Sequence, residues 1–307
     1  MKGVVYKSTG SWYSVKLEDG DFIDCRIRGK FKLAKLKTTN PIAVGDIVQI
    51  EKDLNNEGTA VITHIEPRTN YVMRKSVHKT RQGHLIAANI DRAVLIVTLT
   101  HPRTSMGFID RFLVTTDSFR IPSTLIFNKS DLLSEIGLEE IKHIESIYEP
   151  LGVNTLLVSA LENKGIDQFK KMIEGQTTLM SGHSGTGKST ITNLLIPDLE
   201  QKTGEISESA KRGIHTTTFA HMFEVNSTTR IIDTPGINEL GLIDIEDREL
   251  ADYFPEIRAL LGKCNFSNCT HTHEPKCAVI EAVEKETISN SRYYSYLSML
   301  ENVDTRR

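Results

Sequence analysis

"LMSGHSGTGKST", Leu179 to Thr190, reads as a loop built to hold phosphate. From Gly182 to Ser189 it completes the pattern G-x-x-x-x-G-K-[ST]. Gly182 and Gly187 let the backbone turn tightly, so that N–H groups across His183, Ser184, Gly185, Thr186 and on to Thr190 converge on one anion. Lys188 adds a charge for the outer phosphates, and the Ser189 hydroxyl is a Mg²⁺ ligand. The helix beginning here contributes its positive end. The loop comes late, because more than half of the 307 residues precede it.

Three other short segments end apolar strands. "IIDTPG" (231–236) offers Asp233 to Mg²⁺ through water and the Gly236 N–H to a γ-phosphate. "FNKSD" (127–131) contains Asn128, Lys129, Ser130 and Asp131. The Asp131 carboxylate suits guanine, which donates from N1–H and its 2-amino group; adenine would leave it buried and unpaired. Lys129 is expected to pack its stem along the base, and Asn128 to tie this loop to the phosphate loop. "VSA" (158–160) brings Ser159 and an Ala160 N–H placed to meet guanine O6. Together the four point to GTP. Within "GIHTTT" (213–218), one of Thr216, Thr217 and Thr218 is expected to complete the Mg²⁺ shell, with Thr217 favoured.

Most GTPases run phosphate loop, switch threonine, DTPG, NKxD, SA. Here NKSD and VSA come first, so the same cycle has been opened elsewhere. Domain termini commonly lie close together, and joining them while opening a surface loop preserves the sheet. Apolar strands at 93–99, 123–128, 154–160, 177–182, 219–225 and 229–234 alternate with helix-like stretches. That pattern predicts a mostly parallel, doubly covered sheet.

Five short alternating segments in residues 1–68, separated by turn signals, predict a small all-β barrel of the OB type. Residues 1–82 hold 15 Lys and Arg against 9 Asp and Glu, whereas the remainder holds 22 against 31. The excess concentrates in Arg26, Arg28, Lys30, Lys32, Lys35 and Lys37, a candidate RNA-backbone surface or a solvated loop. Residues 68–89, polar and basic, read as a linker. The expected division is a barrel over 1–68, a permuted GTPase unit over 69–239 that includes the linker, and a helical region over 240–307.

Three of the four cysteines crowd into "CNFSNCTHTHEPKC". Cys264, Cys269 and Cys277 with His271 or His273 make a closed tetrahedral zinc shell, hence a structural site. Four cysteines are too few for a disulfide scaffold, no run of about 18 apolar residues spans a bilayer, and no signal peptide opens the chain. A cytoplasmic protein is expected. Arg292, Arg306 and Arg307 are further candidates for RNA contact, and the aromatic stripe at 291–300 reads as core packing.

The motif order, "HTTT" and the cysteine pattern resemble the circularly permuted GTPase family known as RsgA or YjeQ, over essentially the whole chain. The resemblance implies GTP hydrolysis to GDP and phosphate, stimulated by the small ribosomal subunit, with RNA contact during late maturation. It favours His271 as the fourth zinc ligand. Where many GTPases carry a water-orienting Gln, this chain has Ile237. The family's candidate for holding the water is His215, with the ribosome supplying the group as the alternative. A monomer is expected. Two other readings remain: a nucleotide-holding RNA scaffold without useful turnover, and a GTPase acting on another RNA.

Overall fold

Apolar side chains alternate along β1 (Lys2–Ser8), β2 (Tyr13–Leu17), β3 (Phe22–Ile27), β4 (Ile47–Lys52) and β5 (Thr59–Ile65) of this computed structural model. The inward set, including Val5, Tyr13, Val15, Val48, Ile50 and Ile62, forms one core. Pairing runs β1–β2–β3–β5–β4 and returns through β1–β4, which closes the barrel and removes its free edge. The structure describes residues 1–27, 40–53, 56, 58–75, 83–196, 220–233 and 245–301. Of the six basic candidates only Arg26 is described; it pairs with Asp53 at 3.0 Å and lies 5.0 Å from the Trp12 ring. Arg28, Lys30, Lys32, Lys35 and Lys37 lie outside the described residues.

The segment read as a linker carries a hairpin instead, β6 (Tyr71–Lys75) paired antiparallel with β7 (Gly83–Ala88). Its basic composition conceals alternating apolar positions. Val72, Leu85 and Ala87 are buried, and Tyr71 packs on Phe119 at 5.3 Å between ring centres. The fit is close at Gly45, where φ is +92° and a Cβ would stand 2.1 Å from the Ala88 carbonyl oxygen. Only glycine suits that crossing.

The second unit contains β8 (Arg92–Val97), β9 (Ser123–Phe127), β10 (Asn154–Leu157), β11 (Thr177–Gly182), β12 (His221–Glu224) and β13 (Arg230–Asp233). The order is β10–β9–β8–β11–β13–β12, parallel except for the antiparallel edge strand β12. β8 shows why the sheet is covered twice: Ala93, Leu95 and Val97 enter one core, Val94 and Ile96 the other. α1 (Met106–Ser118) and α2 (Glu135–Tyr148) cover the first face. α3 (Ile166–Met172) and α4 (Lys188–Leu195) cover the second. β12 also meets β1 through the pair His221 and Lys7, so barrel and sheet share one hydrogen-bonded surface.

The C-terminal lobe has a 3₁₀ stretch (Asp247–Tyr253) and α5 (Pro255–Arg258), α6 (Ala278–Glu284) and α7 (Asn290–Leu300). Leu250, Phe254, Ile257, Val279, Tyr296 and Met299 form its core, which includes Val114 of α1. Arg292, a candidate RNA contact, is instead 2% exposed and enclosed by acids: Nη1 lies 2.7 Å from Asp110 and Nε 2.7 Å from Glu256. A guanidinium buried that deeply is stable only when paired. Arg306 and Arg307 lie outside the described residues.

Candidate active site

The carboxyl ends of β9, β10, β11 and β13 open on one edge of the sheet, where open α/β sheets bind ligands. β11 runs directly into the loop at Gly182–Gly187 and then α4. Gly187, at φ +91°, sets the sharp entry to that helix, and a Cβ there would stand 2.3 Å from Asn128 Nδ2. The glycine is thus required by backbone conformation and by a neighbour 59 positions away in the chain.

Asn128 joins three loops. Its buried Nδ2 donates to the Thr186 carbonyl at 2.8 Å, and its Oδ1 accepts from the Ala160 N–H at 3.0 Å. Asp131 accepts from the Ser159 hydroxyl through Oδ1, and Ser159 Oγ in turn accepts from the Glu162 N–H at 3.1 Å. The Ser130 N–H donates to the Val158 carbonyl at 3.1 Å. Lys129 sits in the left-handed region at φ +66° and sends Nζ to the His101 carbonyl at 2.5 Å. The Ala160 N–H, expected to meet guanine O6, donates here to Asn128 Oδ1.

On the phosphate side, Lys188 Nζ donates to Asp233 Oδ1. Residues from β11–α4 and from the end of β13 therefore meet. Ser184, Gly185, Ser189 and Thr190 are exposed along the same edge. Thr186 is buried and donates from Oγ1 to the His183 carbonyl at 2.9 Å. The His183 ring lies against Phe108 of α1, tilted 33° to it with centres 3.9 Å apart. Nothing in the motif spacing signals that contact. His215, Thr216, Thr217, Thr218, Gly236 and Ile237 lie outside the described residues.

Ser189 and Asp233 supply the hard oxygen donors that a cation such as Mg²⁺ prefers. The cysteine cluster is a second centre. Ligand atoms of Cys264, Cys269, His271 and Cys277 all lie within 4.8 Å of one another, and the group can hold a metal ion. Cys264 Sγ is 3.9 Å from Cys277 Sγ, and His271 Nδ1 is 3.5 and 3.4 Å from those two sulfurs. A tetrahedral ion with ordinary zinc–thiolate and zinc–imidazole bonds sets these separations at about 3.8 and 3.5 Å. The residues fit. His273 turns away, its Nδ1 2.8 Å from Thr272 Oγ1. α7 anchors the ligand loop: the Tyr293 hydroxyl donates to the His271 carbonyl at 2.7 Å and the Tyr296 hydroxyl to Thr270 at 2.9 Å.

Between the two centres, Asp110 Oδ1 also accepts from the Tyr148 hydroxyl at 2.5 Å. Burial, reinforced by Asp110, raises the Tyr148 pKa well above its ordinary value. Burial works against charge on Arg292, but Asp110 and Glu256 outweigh it and hold the guanidinium firmly protonated.

A family model described as RsgA GTPase matches residues 65–243, and one described as RsgA N-terminal domain matches residues 2–60. The small ribosomal subunit biogenesis GTPase RsgA of Cytophaga hutchinsonii is 52% identical over the full length of both chains. RsgA 2 of Bacteroides thetaiotaomicron is 51% identical over 98% of this chain and 97% of its own. Among solved structures, YjeQ from Thermotoga maritima is similar with a TM-score of 0.76 and 33% identity, covering 100% of this chain and 99% of that one. YloQ, described as a circularly permuted GTPase, is similar with a TM-score of 0.73 and 27% identity, covering 100% and 96%. Among the described residues no helix is long and apolar enough to cross a membrane.

Proposed function

The chain belongs to the RsgA family of GTPases, and on that footing we propose that its hydrolysis of GTP to GDP and phosphate serves late maturation of the small ribosomal subunit, whose contact speeds turnover. The observation that carries the reading is Asn128, which holds the phosphate loop and the Ala160 loop together through two buried hydrogen bonds. In this reading Asn128, Lys129, Ser130 and Asp131 form the guanine site with Ser159 and Ala160. The loop from Gly182 to Thr190 wraps the phosphates, and Lys188 turns from Asp233 to their charge. Gly236 meets the γ-phosphate. Ser189, Thr217 and Asp233 would hold Mg²⁺, which neutralises charge on the β- and γ-phosphate oxygens. His215 orients the attacking water, a role that an imidazole can fill where Gln is lacking.

The remaining assignments belong to the same proposal. The barrel over 1–68, with Arg26 and the basic run that follows, contacts ribosomal RNA. The GTPase unit spans 69–239, and the lobe over 240–307 carries one structural zinc on Cys264, Cys269, His271 and Cys277. The protein works as a monomer in the cytoplasm.

Multiple-turnover GTP hydrolysis, measured with and without purified small subunits, tests the reading. Slow turnover alone and strong stimulation by subunits are expected. Equal rates with and without subunits would overturn it, and stimulation by an unrelated RNA to the same extent would reassign the partner. His215→Ala is expected to lower stimulated kcat while leaving GTP affinity near wild type.

A further inference from the structure

One helix meets both the phosphate loop and the helix that anchors the metal loop. Phe108 and Asp110 are two residues apart on α1, about 200° around the helix, and so face opposite ways. Phe108 is 4% exposed and lies against the His183 ring inside the phosphate loop. Asp110 is fully buried on the other side, where it meets Arg292 of α7 and Tyr148 of α2. Val114, one turn beyond Asp110, belongs to the core of the C-terminal lobe that also includes Cys277 and Tyr296. α7 then carries Tyr293 and Tyr296, whose hydroxyls hold the metal loop at His271 and Thr270. The series metal loop, α7, α1, phosphate loop thus has a named side-chain contact at every joint.

The Arg292 joint is the demanding one. Asp110 Oδ1 takes both bonds, while Oδ2 is buried without a hydrogen-bond partner among the described residues. Arg292 also lies 4.6 Å from the Phe254 ring and 5.6 Å from that of Tyr148. A buried ion pair with one oxygen unmatched contributes little net stability; its geometry is what it enforces. α1 therefore cannot shift against α7 without leaving charge buried and unpaired.

We propose that α1 is a positioning strut: through Phe108 on one side and Asp110–Arg292 on the other, it couples the conformation of the phosphate loop to that of the metal-bearing lobe. The proposal rests on the nucleotide and zinc assignments above. Coupling of this kind is reciprocal: nucleotide tightens metal binding by the factor that metal tightens nucleotide binding.

The test is an equilibrium one. Zinc affinity of the full chain is measured by competition with a chromophoric chelator, in the presence and absence of Mg²⁺–GDP. A tightening of about fivefold or more by GDP is expected. Phe108→Leu, which leaves the buried charges untouched, is expected to bring that ratio close to one while zinc is still bound. Arg292→Lys, a conservative change that keeps the charge, is expected to retain part of the coupling, and Arg292→Met to abolish it. A ratio of one in the unaltered chain overturns the proposal, and so does the same ratio in Phe108→Leu as in the unaltered chain. Zinc content and GDP affinity, measured first on the same samples, separate this outcome from failure of the site assignments: a chain that binds neither has lost the premise, not the strut.

Discussion

Asn128 illustrates how much one side chain can hold. Both its bonds are buried, and each pairs a backbone group of a different loop. Replacing it by alanine leaves a carbonyl and an N–H without partners, at about 1–3 kcal/mol for each group. Asn128→Ala is therefore predicted to weaken guanine-nucleotide binding by about tenfold or more, since each ~1.4 kcal/mol is a factor of ten. A fluorescent-GDP titration measures it, and unchanged affinity would remove Asn128 from the site. Asp131 is proposed to act differently, by choosing the base. Asp131→Asn turns an acceptor into an amide, and preference is predicted to move from guanine toward xanthine nucleotides. Competition binding with the two nucleotides reads that switch; retained guanine preference would break the assignment.

Among the elements, success of the sequence reading followed how local each signal was. The barrel strands were legible because alternation with period two needs only neighbouring residues. So was the strand–loop–helix around Lys188. The β6–β7 hairpin was not: its apolar positions are sparse among charges, and burial against the second unit is what orders it. Arg292 misled for the same reason. In sequence it is a cation beside tyrosines, and only α1 and α5 reveal its acids. The cysteine loop, by contrast, encodes its own cluster, with four candidate ligands in 14 residues that could hold a metal ion. Cys269→Ser is predicted to lose the metal, measured as zinc per chain, and to lower the thermal midpoint of the C-terminal lobe. Because a structural ion contributes directly to folding, chelation of the unaltered chain is predicted to do the same. Full zinc content in the variant would point to another ligand set.

At the level of the molecule, the barrel and the α/β unit are joined at β1–β12 and by a charged cluster beside it. Lys16 Nζ meets Glu224 at 2.6 Å, the Tyr6 hydroxyl donates to Glu224 at 2.7 Å, and Arg230 Nε donates to Tyr6 at 3.0 Å. Burial pushes the Glu224 pKa up, but hydrogen bonds from Lys16 and Tyr6 outweigh it and hold the carboxyl below its ordinary 4.5. A carboxylate with a depressed folded pKa adds stability above its unfolded value, and that contribution is lost as pH falls through the folded one. Glu224→Gln is thus predicted to destabilise the chain at pH 7 by denaturant unfolding, with the gap from wild type closing below a pH of about 4.5. A gap that persists in strong acid would assign the effect to packing.

The motifs could be read as candidates on their own: a glycine-rich turn before a helix, a carboxylate proposed to read guanine, and three thiols with an imidazole in one loop. Each is contiguous, so the residue types carry the whole requirement, and even the permuted order could be read directly. Which of them meet was a different matter. The Asn128 bridge to the phosphate loop, 58 positions long, was expected from its motif. Its second bond, to the Ala160 N–H, and the Asp110–Arg292 pair, 182 positions apart, were not, and no local spacing encodes those two. Burial of apolar faces brings such partners together, and once water is excluded, each polar group must find its match among whatever the packing has placed beside it.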